Sequence, residues 1–425
     1  MTLNYRDTLN LPDTEFSMKA GLPRKEPEIL KFWSKTSVYE KIRKKYEGKD
    51  LFLLHDGPPY ANGAIHLGHS VNKVLKDITV KSKTLQGYDA PFIPGWDCHG
   101  LPIELNVEKK HGKKSDLVKD KESFQKACKE YAQSQISDQL EDFKRLGVFG
   151  DWENSYMSLD SKFEADIIRS LGVIFDAGHI EKGEKPVHWC QDCSSALAEA
   201  EVEYLDKTSK SIDVTFQVHE ESLEKLKAIF STNISKSVSF VIWTTTPWTL
   251  PSNAAVCINP EIEYSLVKVG DDYFVIASEM FDQCLDRWNK KGEIVAKVPG
   301  KSILDIDLLH PFIDRKSILL HADHVTTETG TGCVHTAPAH GVDDHMVCKK
   351  NNIEIENALN SLGFFKDELD FIAGLPPIKA DPLVVEKLKE TDSLINIEDY
   401  NHSYPHCWRH KTPLIFTSTP QWFIS

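Results

Sequence analysis

Three groups of side chains in this 425-residue sequence have types and spacings that could do chemistry. His66-Leu67-Gly68-His69 sets two imidazoles around a glycine where a polar turn gives way to a helical pattern. At a helix start, imidazoles and unpaired amides can hold an anion, and a glycine lets a nucleotide approach the backbone; phosphate or an adenine nucleotide is the expected ligand. Taken alone, the tetrapeptide reads as readily as a surface or capping feature. Cys190-x-x-Cys193 and Cys407-x-x-His410 are knuckle-spaced pairs that together would make a closed Cys₃His set suited to structural zinc. Thr244, Thr245 and Thr246 with Asn253, and His335 with Asp343 and Asp344, supply hydroxyls, an amide, an imidazole and carboxylates fit to line a polar pocket. Without context, the threonines read as plain strand and the aspartates as a turn.

The elements that must position these groups follow from periodicity. Leu51–Leu54 is a short apolar run ending in His55-Asp-Gly-Pro-Pro, the pattern of a buried parallel strand with a turn at its carboxyl end. Val71, Val74, Leu75, Ile78 and Leu85 then share one helical face, predicting a helix over 68–85 that ends at Gly87. Asp89–Pro94 reads as the next strand and leads into Gly95-Trp-Asp-Cys-His-Gly100, so strand, helix and strand form one parallel unit. Loops at the carboxyl ends of such strands bind ligands. Further helices are expected near 27–46, 122–146 and 161–177, the last opening with the capping-box spacing of Ser161 and Glu164. From about residue 186 the pattern turns to strands at 237–243, 273–277, 317–320 and 332–337, separated by Pro, Gly and Asp turns. This block looks inserted into the first domain through a two-stranded neck that carries the Cys and His pairs.

Composition bounds the rest. The chain has 64 acidic and 50 basic residues, a net charge of −14, and is 40% hydrophobic, which argues against dominant disorder and predicts more than one domain. No run approaches the roughly 18 apolar residues of a membrane span, and the early Asp7, Asp13 and Glu15 indicate neither secretion nor organellar transit, so a cytoplasmic protein without membrane contact is expected. Nine scattered cysteines read as reduced thiols plus one metal site rather than a disulfide framework. Cys98 has no base arranged beside it and does not read as a nucleophile.

His55-Asp-Gly-Pro-Pro-Tyr-Ala-Asn-Gly63, His66-Leu-Gly-His69 and Gly95-Trp-Asp-Cys-His-Gly-Leu-Pro-Ile-Glu104 together resemble the amino-terminal half of class I aminoacyl-tRNA synthetases, most closely the bacterial isoleucyl type. Trp243–Pro251 and Gly330–Asp344 resemble the editing insertion of the same family, so the likeness covers nearly the whole chain. The resemblance implies an α/β fold, the first half of a Rossmann-type parallel sheet, with an inserted, mostly β editing domain. It divides the chain into an extension (1–45), the first half of the nucleotide-binding domain (46–189), a zinc-ribbon-like neck (190–200), the editing domain (201–395) and a return neck (396–425).

By the same resemblance His66, Gly68 and His69 stabilise the triphosphate of ATP, with Mg²⁺, as the amino-acid carboxylate attacks, the histidines serving as donors to developing charge. Asp97 holds the substrate ammonium, although a turn or capping role is its plain alternative, and Pro58 forms part of the wall for the isoleucine side chain. One methylene is worth only about 1–3 kcal/mol in an apolar pocket, so a second, hydrolytic sieve against valine is expected. There Asp344 would grip the substrate ammonium and the threonines the ribose or the water, with the choice between Asp343 and Asp344 open. The implied partners are tRNA(Ile), L-isoleucine and ATP, and the implied state is a monomer. The lysine-rich KMSKS loop and the anticodon-reading domain of the family do not occur in this sequence, which reads as truncated before them. Two other readings stand beside a ligase: a free-standing editing hydrolase, and a non-catalytic tRNA-binding remnant.

Overall fold

A computed structural model of the chain describes residues 8–10, 19–112, 116–232, 234 and 236–425. Much of the 1–45 extension, with Asp7, Asp13 and Glu15, lies outside the described residues. The chain forms two compact units, Met1–Ala177 and Gly178–Ser425. The division falls ahead of residue 190 because strand 180–190 pairs with strand 415–424 within the second unit.

The first unit contains α1 (Leu22–Lys35), α2 (Val38–Tyr46), α3 (Leu67–Leu85), β1 (Gly95–Trp96), α4 (Leu101–His111), α5 (Asp116–Lys119), α6 (Lys121–Arg145), β2 (Tyr156–Met157) and α7 (Ser161–Asp176). The single helix expected near 27–46 is broken between α1 and α2, where Ser37 takes φ 47°. Asp160 rather than Ser161 caps α7, and neither side chain makes the predicted box.

The parallel sheet is much smaller than the apolar runs suggest. Leu51 pairs with Asp89 and Tyr60 with Asp97 only as isolated parallel bridges, and β1 pairs with β2 over two residues. This overturns the expected strands at 51–54 and 89–94. The consequence appears on α3: Val71, Leu75 and Ile78 are more than half exposed, while the same helix buries Lys73, Asp77, Val80 and Thr84. Among the described residues this apolar stripe meets no broad sheet face, and the helix is anchored through Lys73 on Asp56 and Asp77 on the Phe149 N–H.

Unit 1 is instead organised around α6. Tyr131, Gln135 and Gln139, four residues apart, share one face of that helix. Gln139 accepts from Trp96 Nε1 at 3.1 Å and donates to the carbonyls of Tyr60 and Gly63 at 3.1 and 2.9 Å. Gln135 accepts the Gly63 N–H at 2.8 Å, and Tyr131 donates to Asn62 Oδ1 at 2.9 Å. These bonds hold loop 60–63 against a core of Ala61, Trp96, Ile103, Ile136 and Phe143.

The second unit contains β3 (Ile180–Cys190), β4 (Ser195–Leu197), β5 (Val202–Gln217), α8 (Glu220–Ile229), β6 (Val238–Thr244), a 3₁₀ turn (Pro247–Ser252), β7 (Ala255–Ile258), β8 (Glu263–Val269) and β9 (Asp272–Ala277). It continues with α9 (Phe281–Trp288), β10 (Glu293–Pro299), β11 (Asp307–Leu309), β12 (Lys316–His321), β13 (Val334–Thr336), α10 (Val342–Lys350), α11 (Pro377–Glu390), β14 (Leu394–Cys407) and β15 (Ile415–Ile424). Six strands run in the order β10-β8-β9-β6-β5-β14, four in the order β11-β12-β7-β13, and three in the order β15-β3-β4. One large apolar cluster, including Ile212, Phe216, Phe240, Ile242, Tyr264, Leu266 and Val275, fills the unit. Gly332 is forced by geometry: at φ +76°, a Cβ there would lie 2.3 Å from that of Ala277.

Candidate functional site

In unit 1, His66 caps α3. Its Nδ1 accepts the Gly68 N–H at 3.1 Å, and His69 Nδ1 accepts the His66 N–H at 3.3 Å. The two rings stack with centroids 4.0 Å apart. A neutral imidazole whose Nδ1 accepts must carry its proton on Nε2, so each ring presents an Nε2–H donor. Burial, with His66 and Lys73 nearby, lowers the His69 pKa and favours this neutral form. A cavity of about 230 Å³ is lined by Gly57, Pro59, His66, Gly68, His69, Asn72 and Lys73.

Neither Pro58 nor Asp97 is among those lining residues. The backbone brings Asp97 close: its N–H donates to the Pro59 carbonyl at 2.9 Å, and its carbonyl accepts from Ala61 at 2.8 Å. Among the described residues, its carboxylate has long contacts alone, from Ser158 Oγ at 3.4 Å and the His99 N–H at 3.5 Å. Pro58 is half-buried beside Pro59.

The residue that assembles this corner is one that sequence reasoning missed. Asp56 is buried between Lys73 and Lys76, at 2.5 Å from each Nζ, and also accepts the Gly95 N–H at 3.1 Å. Burial pulls the Lys73 ammonium down in pKa, against the stabilising pull of Asp56. This pair ties α3 to the loop and to β1. The available signal was a helical lysine pair two turns into α3 and an aspartate beside Gly57, both of which look like ordinary surface charge in sequence.

In unit 2, Trp243, Thr244, Thr245, Thr246, Thr249, Val334, His335, Ala337, His340 and Asp344 line one cavity of about 220 Å³. Of the predicted residues, all three threonines, His335 and Asp344 meet there. Asp343 is exposed and outside the lining. Asn253 is buried behind His335. The structure therefore brings Asp344, not Asp343, into the pocket.

Hydrogen-bond polarity fixes what this pocket can do. Asn253 Nδ2 donates to the Ala255 carbonyl at 2.8 Å, which identifies the amide nitrogen, and the same nitrogen lies 2.8 Å from His335 Nδ1. His335 Nδ1 is thus an acceptor, and its Nε2–H points at Thr249 Oγ1, 2.9 Å away. Thr249 passes its own proton to the Thr246 carbonyl at 2.9 Å. The spacing of Thr249, His335 and Asn253 resembles a nucleophile with base and orienter, but the proton runs the opposite way, so His335 cannot take a proton from Thr249. Burial, with His310, His340 and Arg315 nearby, holds the His335 pKa down at about 3. His340 is also neutral, at about 4 by burial, between the Phe416 carbonyl and Ser252 Oγ, each 2.9 Å away.

Asp344 sits in the first turn of α10 and accepts the Ala337 N–H at 2.9 Å. Burial pushes its carboxyl up to about 7; the Ala337 bond works against this, and Asp343 adds to it. Thr244 Oγ1 accepts the Thr246 N–H at 3.1 Å and shares a 3.3 Å hydrogen bond with Thr246 Oγ1, which uses the proton of one hydroxyl and leaves that of the other for a ligand. The pocket combines neutral donors with one carboxylate, a surface for a cation joined to hydroxyl or carbonyl groups.

Cys190, Cys193, Cys407 and His410 come together, with all four ligand atoms within 4.8 Å of one another. Cys193 Sγ lies 3.8 Å from Cys407 Sγ and 3.2 Å from His410 Nδ1, which lies 3.9 Å from Cys190 Sγ and 3.7 Å from Cys407 Sγ. Tetrahedral zinc with ordinary bond lengths requires S–S edges of about 3.8 Å and S–N edges of about 3.5 Å. The four groups fit that ion. All nine cysteines are free thiols.

A family model described as tRNA synthetases class I (I, L, M and V) matches residues 28–425. An isoleucine--tRNA ligase of Francisella tularensis subsp. mediasiatica (strain FSC147) is 51% identical over 424 residues, covering 99% of this chain and 45% of the relative. The isoleucine--tRNA ligase of F. tularensis subsp. novicida (strain U112) matches with the same identity and coverage. Among solved structures, a LeuRS of Agrobacterium radiobacter K84 in ternary complex with tRNA and LeuAMS overlaps 95% of this chain and 52% of its own, at 14% identity and a TM-score of 0.38. The chain spans just under half the length of the curated relatives it matches. With the family model running from residue 28 to the last residue, the chain belongs to the class I tRNA synthetases (I, L, M and V).

Proposed function

We propose that this chain is part of an enzyme that activates L-isoleucine with ATP and Mg²⁺, attaches it to tRNA(Ile), and hydrolyses valyl-tRNA(Ile) in unit 2. The observation that carries the reading is the convergence of Thr244–Thr246, His335 and Asp344, separated by about 100 residues of sequence, on one small pocket with a single carboxylate. Asp344 pairs with the ammonium of the mischarged amino acid. Thr244, Thr245 and Thr246 donate to the terminal ribose or orient the attacking water, and His335, held by Asn253, fixes Thr249 and through it the turn. Asp343, exposed and outside the lining, acts only through its charge on Asp344.

In unit 1, the Nε2–H groups of His66 and His69 stabilise the triphosphate, Gly68 permits its approach, and Lys73 adds positive potential to the cavity wall. Asp97 takes the isoleucine ammonium and Pro58 contacts its side chain. The neck holds zinc through Cys190, Cys193, Cys407 and His410 as a structural clamp with no open coordination position. We further propose the domain division given by the sequence, with 201–395 the editing insertion and 46–189 the first half of the nucleotide domain.

The test is deacylation of valyl-tRNA(Ile) by the chain. Hydrolysis that Asp344→Ala reduces by roughly a hundredfold or more supports the reading, since a buried ion pair to the substrate is worth several kcal/mol. Wild-type chain that leaves the ester intact, or an Asp344→Ala variant as fast as wild type, refutes it.

A further inference from the structure

Asp381, on α11, is not among the residues that line the threonine pocket, yet its Oδ1 accepts the backbone N–H of Trp248 at 2.8 Å. Trp248 is the second residue of the 3₁₀ turn 247–252. Within that turn Pro247 has no N–H, and the Thr249 N–H donates to the Thr246 carbonyl at 3.0 Å. The Trp248 N–H is therefore the donor that the start of the turn leaves over, and its acceptor comes from 133 residues further along the chain.

That turn carries the chemistry of the pocket wall. Thr246 precedes it, Thr249 lies within it and Asn253 follows it, while the Trp248 ring packs edge-on against His340 at 4.8 Å. Two further groups bear on Asp381. Lys207, on β5, attracts it, and the Asp381 charge adds to burial in raising the pKa of the Tyr404 hydroxyl on β14. Burial pushes the Asp381 carboxyl itself up to about 7, against the Trp248 bond and Lys207. A half-buried carboxylate, costly to place there, is spent on a single backbone donor beneath the pocket.

We propose that Asp381 is a positioning residue for the threonine pocket: by gripping the Trp248 N–H it fixes the turn that presents Thr246 and Thr249, and so sets the hydrolytic rate without touching substrate. The inference rests on the reading that the pocket hydrolyses an aminoacyl ester. Asp381→Ala removes the acceptor. Asp381→Asn keeps an oxygen of the same shape for the N–H.

The experiment measures valyl-tRNA(Ile) deacylation and amide hydrogen exchange on the wild-type chain and both variants. Asp381→Ala is expected to lower kcat roughly ten- to hundredfold, the range that a hydrogen bond to a charged group converts to, with KM changed less than threefold. Exchange should rise in the segment 246–250 and not elsewhere in unit 2. Asp381→Asn should recover most of the rate and the protection. An Asp381→Ala variant with wild-type kcat, or one whose loss lies in KM, overturns the proposal; so does an Asp381→Asn variant as impaired as Asp381→Ala. If Asp381→Ala fails to fold, Asp381→Asn alone decides through its kcat and its protection at 246–250. A wild-type chain with no hydrolysis refutes the function itself, while the exchange data still judge the grip on the turn.

Discussion

Replacing Asp344 by Asn should make unit 2 more stable while disabling its pocket, and the size of the gain can be worked from the structure. The carboxyl titrates near 3.8 when free and is pushed up to about 7 in the fold, mainly by burial. A group with a raised folded pKa binds its proton more tightly folded than unfolded, so its stabilising contribution is complete below about pH 4, where it is protonated in both states, and is lost as pH rises through 7. Above pH 7 the ionised carboxylate costs about 4 kcal/mol at the upper limit, from 1.36 kcal/mol per pKa unit, and about 2 kcal/mol if water reaches part of it. Asparagine escapes that cost and can still accept the Ala337 N–H. The variant should match wild type near pH 4 and gain progressively through pH 4–7, with a plateau above. For a unit of this size the gain corresponds to a melting shift of about 5–15 °C at pH 8. Urea and thermal unfolding across this pH range, followed on the transition of unit 2, read it directly. A variant no more stable than wild type at pH 8, or a difference that does not change with pH, refutes the argument that Asp344 is held charged at a cost.

Purified without chelator, the chain should contain about one zinc ion, and Cys193→Ser should lower that to a small fraction, as read by elemental analysis, because the four ligands close a tetrahedral shell with no spare donor. In unit 1, Asp56→Asn should destabilise by about 3–5 kcal/mol in denaturant unfolding, since it leaves the Lys73 ammonium buried without its counter-charge. The double change Asp56→Asn with Lys73→Met should recover much of that loss; equal instability of the single and double variants would contradict the pairing.

What could be read from the sequence was whatever local periodicity fixes. The predicted helices over 68–85, 122–146 and 161–177 appear as Leu67–Leu85, Lys121–Arg145 and Ser161–Asp176, and the strand runs of the second unit appear within a residue or two. Strand 51–54 did not, because an apolar run states a wish to be buried and not whether partner strands are present to bury it. The same gap explains α3: its apolar face was correctly identified, and its real anchor, Lys73 on Asp56, was invisible because charge in a helical pattern looks like a solvated face. Of the residue types singled out in unit 2, Thr244, Thr245, Thr246, His335 and Asp344 share one cavity. Asp343 and Asp344 could be separated only by helix phase, and the role of Asn253 only by seeing which atom faces the Ala255 carbonyl.

The two pockets use histidine in one way. In His66, His69 and His335, Nδ1 accepts a hydrogen bond from the protein's own amides, so in the neutral ring the proton is fixed on Nε2. Burial favours that neutral form at His69 and His335. An imidazole so held is a poor base, because its free lone pair is already engaged; at His66 and His69 the Nε2–H is a preorganised donor for negative charge, whereas at His335 it is donated to Thr249. Charge is supplied separately, by Lys73 balanced on Asp56 in one unit and by Asp344 in the other. Such an arrangement suits reactions in which the protein stabilises charge on phosphate or ester oxygens and leaves proton transfer to water and substrate. For the pocket of unit 2, a rise in hydrolysis as Asp344 ionises near pH 7 follows from it.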